Sequence, residues 1–127
     1  MDAELRSFVR RRAGDCCEYC RQRQDDDPLF RFHVEHIIAR QHGGATSESN
    51  LALACHHCNL HKGPNLTGID PATGNVVRLF NPRTQTWNEH FAINGNLVVG
   101  LTDIGRATAR LLNMNGAAKL QLRAFLR

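Results

Sequence analysis

Two cysteine pairs constrain this sequence more than any other feature. Each pair has the spacing Cys-x-x-Cys, first at Cys17 and Cys20 and again at Cys55 and Cys58. Such a turn can place two sulfurs about 3.5–4 Å apart on one metal ion, and two turns complete a tetrahedral site of four thiolates. A closed thiolate site is structural, because no coordination position is open for chemistry, and its Zn²⁺ contributes directly to folding. We therefore predict a structural zinc site, with the fifth cysteine, Cys16, as a spare thiol.

The composition is consistent with a small folded protein that binds a polyanion. Of the 127 residues, 42% are apolar and 22% are charged, which suits a domain with a buried core and argues against global disorder. The net charge is +4, and only Lys62 and Lys119 are lysines, so arginine carries almost all of the positive charge. The arginine guanidinium pairs bidentately with phosphate. This weakly favours a nucleic-acid partner.

The chain shows no sign of secretion or membrane insertion. No run of eighteen apolar residues is present, and the polar N-terminus lacks the apolar core of a secretory signal. We therefore expect a cytoplasmic protein with no membrane contact, in which cysteines stay reduced and serve metal binding before disulfides. A redox or zinc-sensing role for the five thiols is an alternative, and thiol titration with metal analysis would separate the two.

Hydrophobic periodicity predicts mixed α and β elements. The first half contains an amphipathic, arginine-rich helix that ends at Gly14 and a helix that stops before Gly63-Pro64. In the second half, Asn94-Gly95-Asn96 predicts a hairpin turn and Thr102 a helix N-cap. The predicted helices are 3–13, 56–62, 103–113 and 117–126; the predicted strands are 29–38, 76–80, 91–93 and 97–101, with 51–54 as a strand or a helix lead-in.

The span between the cysteine pairs carries a recognisable order of polar residues. Together with the cysteine pairs that flank it, this span contains C-x-x-C, E-H-I-I, G-G and S-N-L-A-L-A-C-H-H-C-N-L-H-K. Residues 16–63 resemble the HNH endonuclease family, in the subgroup whose core is held by four cysteines around zinc. The spacing from His36 to Asn50 to Asn59 is also similar to that of the HNH domain in RNA-guided CRISPR nucleases.

The resemblance implies an α+β fold with a ββα-metal (His-Me finger) core on the Cys₄ zinc site. We expect residues 1–66 to form this nuclease core with its N-terminal helix. Residues 67–127 are expected to form an extension, a small β-meander with terminal helices, packed on the core. The aromatic residues Trp87 and Phe91 could instead give this extension an interaction surface.

The resemblance also implies a metal-dependent hydrolysis of DNA phosphodiesters. His36 is the candidate general base, since a neutral imidazole can take a proton from water near neutral pH. Asn50 is expected to orient that imidazole. Glu35, where the family often has aspartate, and Asn59 would supply oxygen ligands to one Mg²⁺ or Mn²⁺.

Several basic residues are candidates for contacting DNA. Lys62 lies one helical turn after Asn59 and could contact a phosphate. His33 and His61 are weaker candidates for the metal or phosphate site. The alternative function is a catalytically inactive, zinc-stabilised module that only binds DNA. The arginines considered for DNA binding are Arg10, Arg11, Arg12 and Arg40, with Arg78 and Arg83 added for the inactive module.

Overall fold

The computed structural model describes residues 1–126, which divide into two units. The first unit comprises Met1–Asn65 together with the short segment Asn81–Thr84. The second comprises Leu66–Phe80 and the chain from Gln85 onward. No helix within residues 1–126 has the length and apolar character needed to cross a bilayer.

The first unit begins with helix α1, Ala3–Ala13, as the periodicity predicts. The Asp2 carboxylate caps it by accepting a hydrogen bond from the Leu5 N–H at 2.8 Å. Gly14 ends it in the left-handed conformation, at φ 62°, where glycine pays no steric penalty. Helix α1 packs against the two strands that follow it, and Val9 is fully buried.

Strands β1, His33–His36, and β2, Leu51–Ala54, form an antiparallel pair in which His33 lies opposite Ala54. All four residues of β2 are buried. The predicted strand 29–38 is wrong in extent, because neighbouring side chains bind the backbone of its first part. The Asp27 carboxylate accepts the N–H groups of residues 29 and 30, and the Gln24 amide bonds the backbone of residues 30 and 32, so these groups cannot join a sheet.

Helix α2, His56–Lys62, follows β2 directly and has the predicted bounds. The Cys55 thiol caps it by accepting from the Cys58 N–H. Gly63, at φ 50°, ends it. The order of the elements β1, β2 and α2 therefore places the end of one strand and one face of a helix close to the cysteine pairs. The core of this unit contains buried side chains that include Tyr19, Phe32, Leu51 and Leu53.

The second unit contains two separate hairpins and three helices. Strand β3, Thr67–Ile69, pairs with β4, Val76–Arg78, and β5, Phe91–Asn94, pairs with β6, Leu97–Gly100. The expected β-meander is wrong, because β4 does not pair with β5. Just after β4, the Phe80 N–H donates to the Thr108 hydroxyl at 2.9 Å instead of to another strand. The helices are α3, Trp87–His90, α4, Asp103–Leu111, and α5, Ala117–Phe125.

Helix α4 lies close against the β5–β6 hairpin. The Thr102 hydroxyl caps it, as predicted, by accepting from the Gly105 N–H at 3.1 Å. A Cβ at Gly105 would stand 2.0 Å from the carbonyl oxygen of His90, so only glycine permits this approach. In the same unit, the buried Asp70 receives two hydrogen bonds from the Arg106 guanidinium, at 2.9 and 2.8 Å.

Candidate functional site: a cysteine cluster beside a polar pocket

The four paired cysteines converge into one buried cluster. The ligand atoms of Cys17, Cys20, Cys55 and Cys58 all lie within 4.8 Å of one another. The Cys20 and Cys55 sulfurs are 3.7 Å apart, close to the spacing of two ligands on one Zn²⁺. In each pair the second cysteine directs its backbone N–H at the first sulfur, at 3.4 Å for Cys17 and 3.3 Å for Cys55. The chain is therefore arranged to bind a metal such as zinc with four thiolates.

The chemistry of the cluster also fits a metal. Burial raises the pKa of the Cys17 thiol well above its ordinary value. A bound cation removes this penalty, because it stabilises the thiolate that coordinates it. Cys16 is partly exposed and is not part of the cluster.

A shallow pocket of about 330 Å³ brings together three residues of the predicted catalytic and metal site. Strand β1 contributes Glu35 and His36, and helix α2 contributes Asn59. Arg40, from the short 3₁₀ turn after β1, and His33, at the start of β1, also line it. The pocket thus combines a carboxylate, an amide, two imidazoles and a guanidinium.

Glu35 is held by two buried side chains. The Tyr19 hydroxyl donates to Glu35 Oε1 at 2.5 Å, and Lys62 Nζ donates to Oε2 at 3.1 Å. Lys62 Nζ also reaches the carbonyl oxygens of Ile37 at 2.9 Å and His36 at 3.4 Å. Burial raises the pKa of Glu35, and the Lys62 charge and the Tyr19 hydrogen bond oppose that rise. Each carboxylate oxygen retains a second lone pair beyond these bonds.

Lys62 therefore has protein partners at the position where sequence reasoning expected a phosphate contact. It is only 2% exposed, and its ammonium faces Glu35 and two backbone carbonyls. A contact with DNA phosphate would require this side chain to leave those oxygens.

His36 lies partly exposed at the end of β1, and its ring contacts Thr46. The His36 Nε2 and Thr46 Oγ1 atoms are 2.8 Å apart. Partial desolvation, together with the positive charges of Arg40 and Lys62, lowers the pKa of His36. This shift favours the neutral imidazole, the state that a general base requires.

Asn50 contacts the loop after His36 and not the His36 ring. Its side-chain oxygen accepts the Ile38 N–H at 2.9 Å, and its amide nitrogen donates to the carbonyls of Ile38 at 3.0 Å and Ala45 at 2.9 Å. Its backbone carbonyl accepts the Ile37 N–H at 2.8 Å. Asn50 thus fixes the backbone on both sides of the loop that carries Arg40. The side chain that contacts the His36 imidazole is that of Thr46.

The candidate DNA-binding arginines of the first unit differ in their surroundings. Arg10 donates to the Phe32 carbonyl at 2.8 Å, and Arg12 donates to two carbonyls, those of Glu48 at 2.8 Å and Leu51 at 2.7 Å. Arg11 and Arg40 are exposed, and Arg40 lies at the pocket. Arg83 forms an ion pair with Glu18 of the first cysteine turn. Arg78, in the second unit, is exposed.

The remaining candidate histidines fall into two groups. His61 directs Nδ1 at the His57 carbonyl at 2.8 Å and does not line the pocket. His33 lines the pocket and lies beside His56. Partial desolvation, with smaller contributions from His56 and Arg10, lowers the pKa of His33.

Sequence reasoning missed Tyr19 and Thr46. Tyr19 is the only tyrosine of the chain and lies between two cluster cysteines, which signals a buried position but not its partner. Thr46 lies in a small polar loop with nothing in its sequence context to mark it. Both contacts arise only when segments distant in sequence meet.

Comparison with known proteins supports the interpretation of this segment. Residues 17–65 match the family model described as HNH endonuclease, and this match contains all four cluster cysteines and the pocket residues of β1 and α2. No curated protein and no solved structure matches the chain. Residues 17–65 are therefore similar to the HNH endonuclease family, and the match does not extend to the rest of the chain.

Proposed function

We propose that this protein is a metal-dependent endonuclease that hydrolyses DNA phosphodiester bonds. The observation that carries the proposal is the single pocket that Glu35, His36 and Asn59 line together. A carboxylate and an amide are the hard oxygen donors that Mg²⁺ or Mn²⁺ takes in proteins. The order of β1, β2 and α2 around the cysteine cluster supports a ββα-metal core.

Glu35 and Asn59 would hold one Mg²⁺ or Mn²⁺. When bound, this cation would neutralise charge on the phosphoryl oxygens and on the leaving oxygen. Glu35 can act as a ligand only as a carboxylate, and its burial works against that state. In this proposal Lys62 and Tyr19 are positioning residues, because they keep Glu35 ionised and fix its orientation through one oxygen each.

His36 would activate the attacking water. With Nε2 donating to Thr46, the Nδ1 atom carries the lone pair that accepts the proton from water. The lowered pKa favours the unprotonated state of this nitrogen. Asn50 would act by holding the loop that follows His36, and the exposed Arg40 would contact a phosphate at the pocket.

A plasmid-nicking assay with Mg²⁺ or Mn²⁺ tests the proposal. Wild type should convert supercoiled plasmid to nicked or linear forms, and His36→Ala should lose this activity. His42→Ala is the matched control, because His42 is exposed and does not line the pocket. Cleavage by His36→Ala at the wild-type rate would remove the proposed base.

One observation favours a second candidate, a zinc-stabilised module that binds DNA without cutting it. Both oxygens of Glu35 already have protein donors, and one of them is the Lys62 ammonium, which repels a nearby cation. The same assay, read beside a gel-shift experiment, separates the candidates. If wild type shifts DNA but leaves it intact with either metal, the binding module is correct.

A further inference from the structure

Two histidines meet where β1 and α2 begin. His33 is the first residue of β1, and His56 is the first residue of α2. His33 Nε2 and His56 Nδ1 are 3.2 Å apart, and the ring centroids are 5.4 Å apart. Neither residue belongs to the cysteine cluster, and the nuclease proposal assigns neither a role.

The nitrogen separation matches that of two ligands on one metal ion. Imidazole nitrogens lie about 2.0–2.1 Å from Zn²⁺, so two nitrogens 3.2 Å apart would subtend roughly 100° at the ion, close to the tetrahedral angle. As a free pair the rings share one hydrogen bond. A cation would replace the shared proton after a modest rotation that turns both lone pairs toward it.

The ring of His56 is held in place by an aromatic neighbour. Phe30 stacks on it with centroids 4.2 Å apart and an interplanar angle of 10°. This contact restricts rotation of the His56 ring, so metal binding has less ring motion to restrict. A packed neighbour preorganises a metal ligand in this way. His33 is exposed, so the nitrogen pair is open to solvent and a metal can enter.

We propose that His33 and His56 form a second cation site, distinct from both the cysteine cluster and the Glu35–Asn59 pair. Two imidazoles select borderline transition-metal dications such as Zn²⁺ or Ni²⁺ over Mg²⁺, and two protein ligands leave positions open for water or a phosphate oxygen. Because His33 also lines the pocket, the bound ion would lie at the pocket's edge. The proposal goes beyond the nuclease assignment and does not depend on it.

Calorimetric titration with Ni²⁺ tests this site. The protein is the full, tag-free chain with its cysteine cluster already loaded with zinc. Wild type should bind one Ni²⁺, and His33→Gln and His56→Gln should each weaken that binding at least tenfold. The control His42→Gln, which alters an exposed histidine outside the pair, should bind within twofold of wild type. Zinc content and far-UV circular dichroism verify that each variant is folded.

A measurement on wild type alone localises the ion. Paramagnetic Ni²⁺ should broaden the NMR signals of the His33 and His56 rings before those of His42. Glu35→Gln should retain the Ni²⁺ affinity, since its carboxylate belongs to the other site. Binding that survives both glutamine variants of the pair, or that Glu35→Gln abolishes, would overturn the proposal, and neither result depends on nuclease activity.

Discussion

Replacing Lys62 with methionine tests the buried contact between the pocket and the core. The ammonium is bonded to Glu35 at 3.1 Å and to the Ile37 carbonyl at 2.9 Å, and the side chain is 3% exposed. Methionine keeps most of the side-chain volume but leaves a buried carboxylate without its charge partner. Removing one member of a buried ion pair typically costs about 3–5 kcal/mol. We expect Lys62→Met to destabilise the first unit by that amount.

The loss can be measured from the NMR signals of the β2 amides in a urea series, because β2 lies in the first unit. With a urea m value of about 2 kcal/mol/M, the midpoint should fall by roughly 2 M. Arg40→Met is the control: it removes an exposed cation from the same pocket and should change stability by less than about 0.5 kcal/mol.

The pH dependence of the stability loss tests whether the unpaired Glu35 carboxylate causes it. Lys62 is the main group that lowers the pKa of Glu35, so in Lys62→Met that pKa rises further. A folded-state pKa above the unfolded value makes the deficit large at pH 8 and smaller at pH 5, as the carboxyl takes up a proton. The double variant Glu35→Gln/Lys62→Met should be more stable than Lys62→Met at pH 8. A Lys62→Met protein within 1 kcal/mol of wild type, or a deficit equal at both pH values, would refute this reasoning.

Four further predictions follow from other parts of the chain. His36→Ala should lose most nicking activity while its circular dichroism spectrum stays that of wild type, because the ring is partly exposed. Cys58→Ser should lose bound zinc and unfold the first unit, and a stable zinc-free variant would contradict the structural role. Gly44→Ala should displace its loop, seen as shifted NMR signals there, since the new Cβ would lie 1.7 Å from a backbone oxygen. The Arg106 hydrogen bonds lower the pKa of Asp70. The contribution of Asp70 to the stability of the second unit should therefore be present above about pH 4 and should decline as the pH falls further. Asp70→Asn should remove this decline, measured as urea midpoints from Trp87 fluorescence.

Local features could be predicted because they depend on a few neighbouring residues. The spacing of the cysteines indicated a cluster, since a Cys-x-x-Cys turn brings its own two sulfurs together whatever surrounds it. Helix α2 has its predicted bounds because Cys55 and Gly63 supply both ends from adjacent positions. Thr102 likewise caps α4 through an N–H three residues away.

Contacts between distant segments could not be predicted in this way. The alternation in residues 29–38 favoured a long strand, but the Asp27 and Gln24 side chains bind the backbone of its first part. In the same way, the helical spacing placed Lys62 near Asn59 without indicating that its ammonium is buried against Glu35.

The sequence alone determined which chemical groups this protein has and which pairs of them are close along the chain. The tertiary structure decided which groups face solvent and which are bonded inside: Arg40 lies exposed at the pocket, whereas Lys62 is buried and bonded to Glu35 and a backbone carbonyl. The physical reason is that a charged side chain can be buried only where partners satisfy it, and those partners come from segments that folding alone brings together.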